Sequence, residues 1–145
     1  MTALGTMNEV QVILAPVTVT MNNPQIFSIG PNPDDILKQG EGFSLTLDVT
    51  FGGAGAAALM ALNIPVRVCW FAESYGIGPE SDLGCATINT ALGVFSYTVT
   101  LNVPVNPLSA EYVYKLAASL RVGAVAAPAI ANGFIEAGAI EIYNP

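Results

Sequence analysis

The sequence predicts an all-β chain folded as a two-sheet sandwich, and three observations carry that expectation. Apolar and polar residues alternate with period two along most of the 145 residues, the signature of strands with one buried face. Helical spacing is almost absent. Connections rich in Gly and Pro separate the alternating runs at intervals that suit turns.

The clearest run is 43–51, where Phe43, Leu45, Leu47, Val49 and Phe51 alternate with Ser44, Thr46, Asp48 and Thr50. The segment 94–103, in a strand reaching about 105, sets Phe95, Tyr97, Val99, Leu101 and Val103 against Val94, Ser96, Thr98, Thr100 and Asn102. In 64–72, Ile64, Val66, Val68 and Trp70 oppose Pro65, Arg67, Cys69 and Phe71, and in 111–122 Tyr112, Tyr114, Leu116, Ala118, Leu120 and Val122 share a parity. Two further strands, 10–21 and 133–143, change parity part-way. Val10, Val12 and Leu14 give way to Val17, Val19 and Met21 at Ala15-Pro16. A strand that changes face at a proline is expected to lie on an edge and pass from one sheet to the other. Ile135 is followed by Ile140 and Ile142, which places a bulge at Ala137-Gly138. A weak seventh strand fits near 85–90, and Ala56–Leu62 admits a turn or two of helix. About seven strands with short turns predict a Greek-key β-sandwich, one domain spanning 1–145, with a jelly roll as the rival architecture.

One local feature refines the topology. Leu108-Ser-Ala-Glu-Tyr112 opens the second-last strand after a proline-containing turn. It resembles the tyrosine corner of immunoglobulin-like sandwiches, in which a Tyr hydroxyl bonds back to backbone across the turn. The resemblance is to a fold rather than to a family, and it implies an immunoglobulin-like strand order. The Cys…Trp…Cys spacing of true immunoglobulin domains is absent, since Trp70 adjoins Cys69. Cys69 and Cys85 lack Cys-x-x-Cys spacing. They read as structural, either bonded to each other or as two buried thiols.

Composition excludes several functions. Four Lys+Arg stand against 11 Asp+Glu, giving a net charge of −7, so there is no basic footprint for a nucleic-acid partner. The chain has no His, which removes the commonest general base and metal ligand. Asp34-Asp35 sits in a Pro/Gly-rich stretch where carboxylates serve turns. Glu73, Glu80 and Asp82 lack the alternating spacing of a calcium loop. No Gly-x-Ser-x-Gly, Ser-x-x-Lys or phosphate-binding loop occurs. The chain is therefore expected not to be an enzyme and to carry no metal or cofactor. The longest apolar runs, Ala54–Leu62 and Val122–Ala131, fall short of the ~18 residues of a spanning helix. Residues 1–9 have neither the basic nor the apolar region of a signal peptide, so the expected setting is the cytoplasm, or the exterior after processing.

Two surface features remain. Thr18, Thr20, Thr46, Thr50, Ser96, Thr98 and Thr100 all fall on outward parities, and would form one hydroxyl-rich face if their strands are neighbours. Secondly, the connections 52–62 and 123–131 are apolar where exposed loops are normally polar. In an immunoglobulin-like topology they meet at one end, presenting Ala57, Leu59, Met60, Val125, Ala127, Pro128 and Ile130 as one patch. The expected function is that of a structural, self-assembling subunit that meets copies of itself through this patch, as an oligomer, shell or filament. The alternative is a carbohydrate- or surface-binding module with a glycan ligand.

Overall fold

A computed structural model describes residues 17–28, 36–76, 80–110, 112–124 and 126–144. They form eight strands and one short helix: β1 Thr18–Phe27, β2 Ile36–Lys38, β3 Phe43–Gly52, α1 Ala56–Met60, β4 Pro65–Ser74, β5 Glu80–Asn89, β6 Ser96–Val103, β7 Val113–Val122 and β8 Ala131–Tyr143. Two sheets pack face to face, one ordered β1-β3-β6 and the other β2-β8-β7-β4-β5. That is the immunoglobulin-like arrangement A-B-E against G-F-C-C′, without strand D and with β2 added in parallel to β8. The order decides against the jelly roll.

The core follows from the alternation. Leu45, Leu47, Val49 and Phe51 of β3 face Val66, Val68 and Trp70 of β4 and Tyr114, Leu116 and Ala118 of β7, all of them buried. Each large apolar side chain so buried contributes roughly 1.5–3 kcal/mol. Trp70 fits because its lateral neighbours are small: Gly84 on β5 and Ala118 on β7.

Three bulges bend the strands, and each leaves a mark in the sequence. On β8, Gly138 opposes Leu116 and Glu136 opposes Ala117, which leaves Ala137 as the extra residue where the parity changes. Gly138 there has φ +98°, a conformation that glycine adopts without strain. On β5, Leu83 is the extra residue beside Gly84, φ +116°, whose N–H donates to Asp82 Oδ1 at 3.0 Å. On β1 the register slips between Asn22 and Gln25, with Asn23 at φ 54°. This lets the strand run through Pro24 to Phe27, further than the alternation ending at Met21 indicates. The chain passes between sheets from β1 to β2, downstream of the proline singled out in the sequence. The parity switch at Ala15-Pro16, like the run 10–16, lies outside the described residues.

Cys69 and Cys85 are directly opposed on β4 and β5 and form a disulfide. The tyrosine-corner bond exists, but on a different residue. Tyr114, not Tyr112, accepts a hydrogen bond from the Ser109 N–H, at 3.0 Å. Tyr112 is half-buried and packs edge-on against the Tyr114 ring at 6.2 Å. The correction has a simple cause. Tyr114 is on the inward parity deep enough to reach back under the turn, whereas Tyr112 precedes the strand. No helix among the described residues is long and apolar enough to cross a membrane.

Candidate functional site: the uncharged end

Three connections gather at one end of the sandwich: 53–64 from β3 through α1 to β4, 90–95 from β5 to β6, and 123–130 from β7 to β8. Backbone hydrogen bonds tie two of them together and the third to the start of β4. The Thr90 N–H donates to Ile64 O at 2.9 Å, and the Gly123 N–H donates to Pro65 O at 2.9 Å. Not one of these three connections contains an Asp, Glu, Lys or Arg.

Local chemistry explains why the loops are ordered without charge. Ala56, Ala57 and Ala58 are strong helix formers and wind one turn of α1. The turn stops at Asn63, whose φ of 55° is a left-handed conformation that Asn tolerates. The Thr90 side chain, buried at 2% exposure, accepts from the Ile64 N–H at 2.8 Å and donates to Met60 O at 3.0 Å. The Tyr97 hydroxyl accepts from the Ala91 N–H at 2.9 Å and donates to Val94 O at 2.6 Å. Arg121, on the adjoining row of β7, donates to the carbonyls of Gly123, Ala124 and Ala127. These bonds hold the described parts of each loop in place and leave apolar side chains to face solvent.

Of the residues singled out in the sequence, Ala57, Ala127 and Pro128 are exposed on this end. Leu59 and Ile130 are half-buried and pack against the core. Met60 is fully buried beneath α1, so it supports the surface and does not form it. Val125 lies outside the described residues. The largest exposed groups were not among the named ones. Leu62 is 68% exposed and Leu92 is 79% exposed, with Val94 and Phe95 also open to solvent. Val94 and Phe95 escape notice because the apolar alternation extends back to 94, while the strand itself starts at Ser96, and Leu92 falls in the turn just before it. The lack of any charge across Thr90–Phe95 was the signal available.

The opposite end differs. It holds Glu41, Glu73, Glu80 and Lys38 among its described residues, with one exposed ion pair, Lys38–Glu41, at 3.9 Å.

The hydroxyl face is assembled as its strands imply, because β1, β3 and β6 are neighbours. The register sets Thr20, Thr50 and Ser96 in one row, Asn22, Asp48 and Thr98 in the next, and Gln25, Thr46 and Thr100 in a third. Some of its polar groups are bonded to one another. Thr98 donates to Asp48 at 2.8 Å, Ser44 to Asn102 at 3.1 Å, and Thr50 and Ser96 share a bond at 3.3 Å.

No protein-family model and no curated protein matches the chain.

Proposed function

We propose that the chain is a non-enzymatic structural subunit that self-associates through its uncharged end, the occupant being a second copy. The observation that carries this is the coincidence of three charge-free connections with Leu62 and Leu92 in full view of solvent. Covering such a surface desolvates no carboxylate, and the Arg121 guanidinium beside it is already bonded to the loop carbonyls. The Ala, Gly and Pro residues around the two leucines lose little side-chain entropy when buried. The three connections contain no acidic or basic side chain, and the Thr90 and Tyr97 hydroxyls at this end are already engaged in hydrogen bonds. Acidic side chains at the far end favour contact between two like, apolar ends over a head-to-tail stack that buries carboxylates against leucines.

Light scattering across a dilution series tests the reading. Particles larger than 15.0 kDa at micromolar concentration support it, as does their dispersal by Ala57→Glu or Ala127→Glu without loss of the fold. A strict single-chain particle at every concentration overturns it. A second reading, a glycan- or surface-binding module, is favoured by the hydroxyl rows of β1, β3 and β6. It ranks lower because no aromatic ring stands among those rows to stack on a sugar, and a glycan array without hits would end it.

A further inference from the structure

The outer face of the five-stranded sheet carries a feature that neither self-association nor the hydroxyl rows explain. Its side chains fall on a grid fixed by the strand register. Glu80, Glu73 and Lys115 stand side by side in one row, and Asp82, Phe71, Ala117 and Glu136 in the next. Phe134 follows in the row beyond, opposite Ser119. Phe71 is 38% exposed and Phe134 58% exposed. Together with Ala117, these two rings, the carboxylates of Glu73, Glu80 and Asp82, and one ammonium, that of Lys115, line an open depression of about 440 Å³. That size lies within the range of small-molecule sites.

The charges in it are unbalanced. Glu73 and Glu80 are directly opposed across β4 and β5, a like-charge pairing that costs stability. Lys115 is next to Glu73 in the row, but its ammonium pairs with Glu136 at 3.5 Å. Glu73, Glu80 and Asp82 make no ion pair among the described residues. A bound cation would relieve all three. The described residues contain no group of three or more His, Cys, Asp or Glu arranged to hold a metal ion. The fitting cation is therefore larger and more diffuse than a metal, with an apolar body to lie against two phenyl rings. Phenyl faces also attract ammonium and guanidinium groups.

The geometry points to a binding site for an organic cation: an amine, guanidine or quaternary ammonium carried on an aromatic or aliphatic body. The rings and Ala117 receive the body, and the three carboxylates receive the charge. This site lies on a sheet face and stands independently of association through the uncharged end.

Amide NMR of the whole chain tests the proposal with three isosteric probes: benzylamine, benzyl alcohol and benzoate. Benzylamine is expected to shift the amides of Phe71, Ser81 and Ala117 in a saturable way. Benzyl alcohol should bind about tenfold more weakly or less, and benzoate should leave these amides unmoved. The double variant Glu73→Gln/Glu80→Gln is expected to weaken benzylamine binding by about tenfold while keeping the dispersed spectrum of the fold. Phe134→Ala should weaken benzylamine and benzyl alcohol together. Equal binding of benzylamine and benzyl alcohol would overturn the cation assignment. Shifts confined to other parts of the chain, or none, would overturn the site.

Discussion

The two ends of the sandwich are built from the same kinds of parts and present opposite surfaces. At each end a buried polar side chain pins loops that have no regular structure. Thr90 does so at the uncharged end, bridging Ile64 and Met60. Asn106 does so at the other, donating to Lys38 O at 3.1 Å and accepting from the Leu108 N–H at 2.9 Å. The Tyr97 hydroxyl ties down the 91–94 turn, as Tyr114 ties down Ser109. What differs is what the pinned loops expose. One end offers Leu62, Leu92 and alanines with no carboxylate among them, and the other sets carboxylates and an ion pair beside exposed Tyr75, Val105 and Tyr143. Order in a loop therefore does not fix its role. Internal satisfaction of the backbone frees the side chains to be either solvated or apolar, and the chain uses each choice at one end.

The largest effect expected from this contrast is on assembly. Leu62→Glu combined with Leu92→Glu should reduce the particle to a single chain in sedimentation velocity. Val105→Glu, an equally exposed apolar position at the other end, should leave its size unchanged. Dispersal by Val105→Glu alone would relocate the contact. Next comes Met60→Ala, which empties a fully buried site under α1. It should cost about 2–5 kcal/mol in urea unfolding, marking α1 as part of the core rather than as a detachable loop. Thr90→Val keeps the shape but orphans the Ile64 N–H and leaves Met60 O with only the longer bond from the Asn63 N–H. A loss of about 1–3 kcal/mol is expected. The smallest effect distinguishes the two tyrosines at the other end. Tyr114→Phe should cost about 1 kcal/mol, and Tyr112→Phe less than half of that, since Tyr112 makes no corner bond.

The fold was legible wherever one strand face is buried and the other wet. β3 is the plainest case, with Phe43 to Phe51 alternating against hydroxyls. The bulge at Ala137-Gly138 was legible too, because inserting one residue flips parity. β5 was faint for the same reason in reverse. Leu83 and Gly84 interrupt its alternation, and the strand lies on an edge where burial is partial. The disulfide was beyond reach of the sequence, since it depends on register placing Cys69 opposite Cys85. At the uncharged end, composition marked the connections 52–62 and 123–131 as unusual. It did not rank residues within them, because Met60 and Leu62 are equally apolar and only the turn of α1 buries one and exposes the other. The acidic depression was hidden because Glu73, Glu80, Lys115 and Phe134 come together only across four strands.

Amide hydrogen exchange at two protein concentrations, well above and well below the association midpoint, tests the central proposal most directly. Copies that meet through the uncharged end should slow exchange in 53–64, 90–95 and 123–130 at the higher concentration, and leave 39–42 and 104–110 unchanged. Exchange in those three connections that stays the same at both concentrations, or slowing confined to the opposite end, would contradict it.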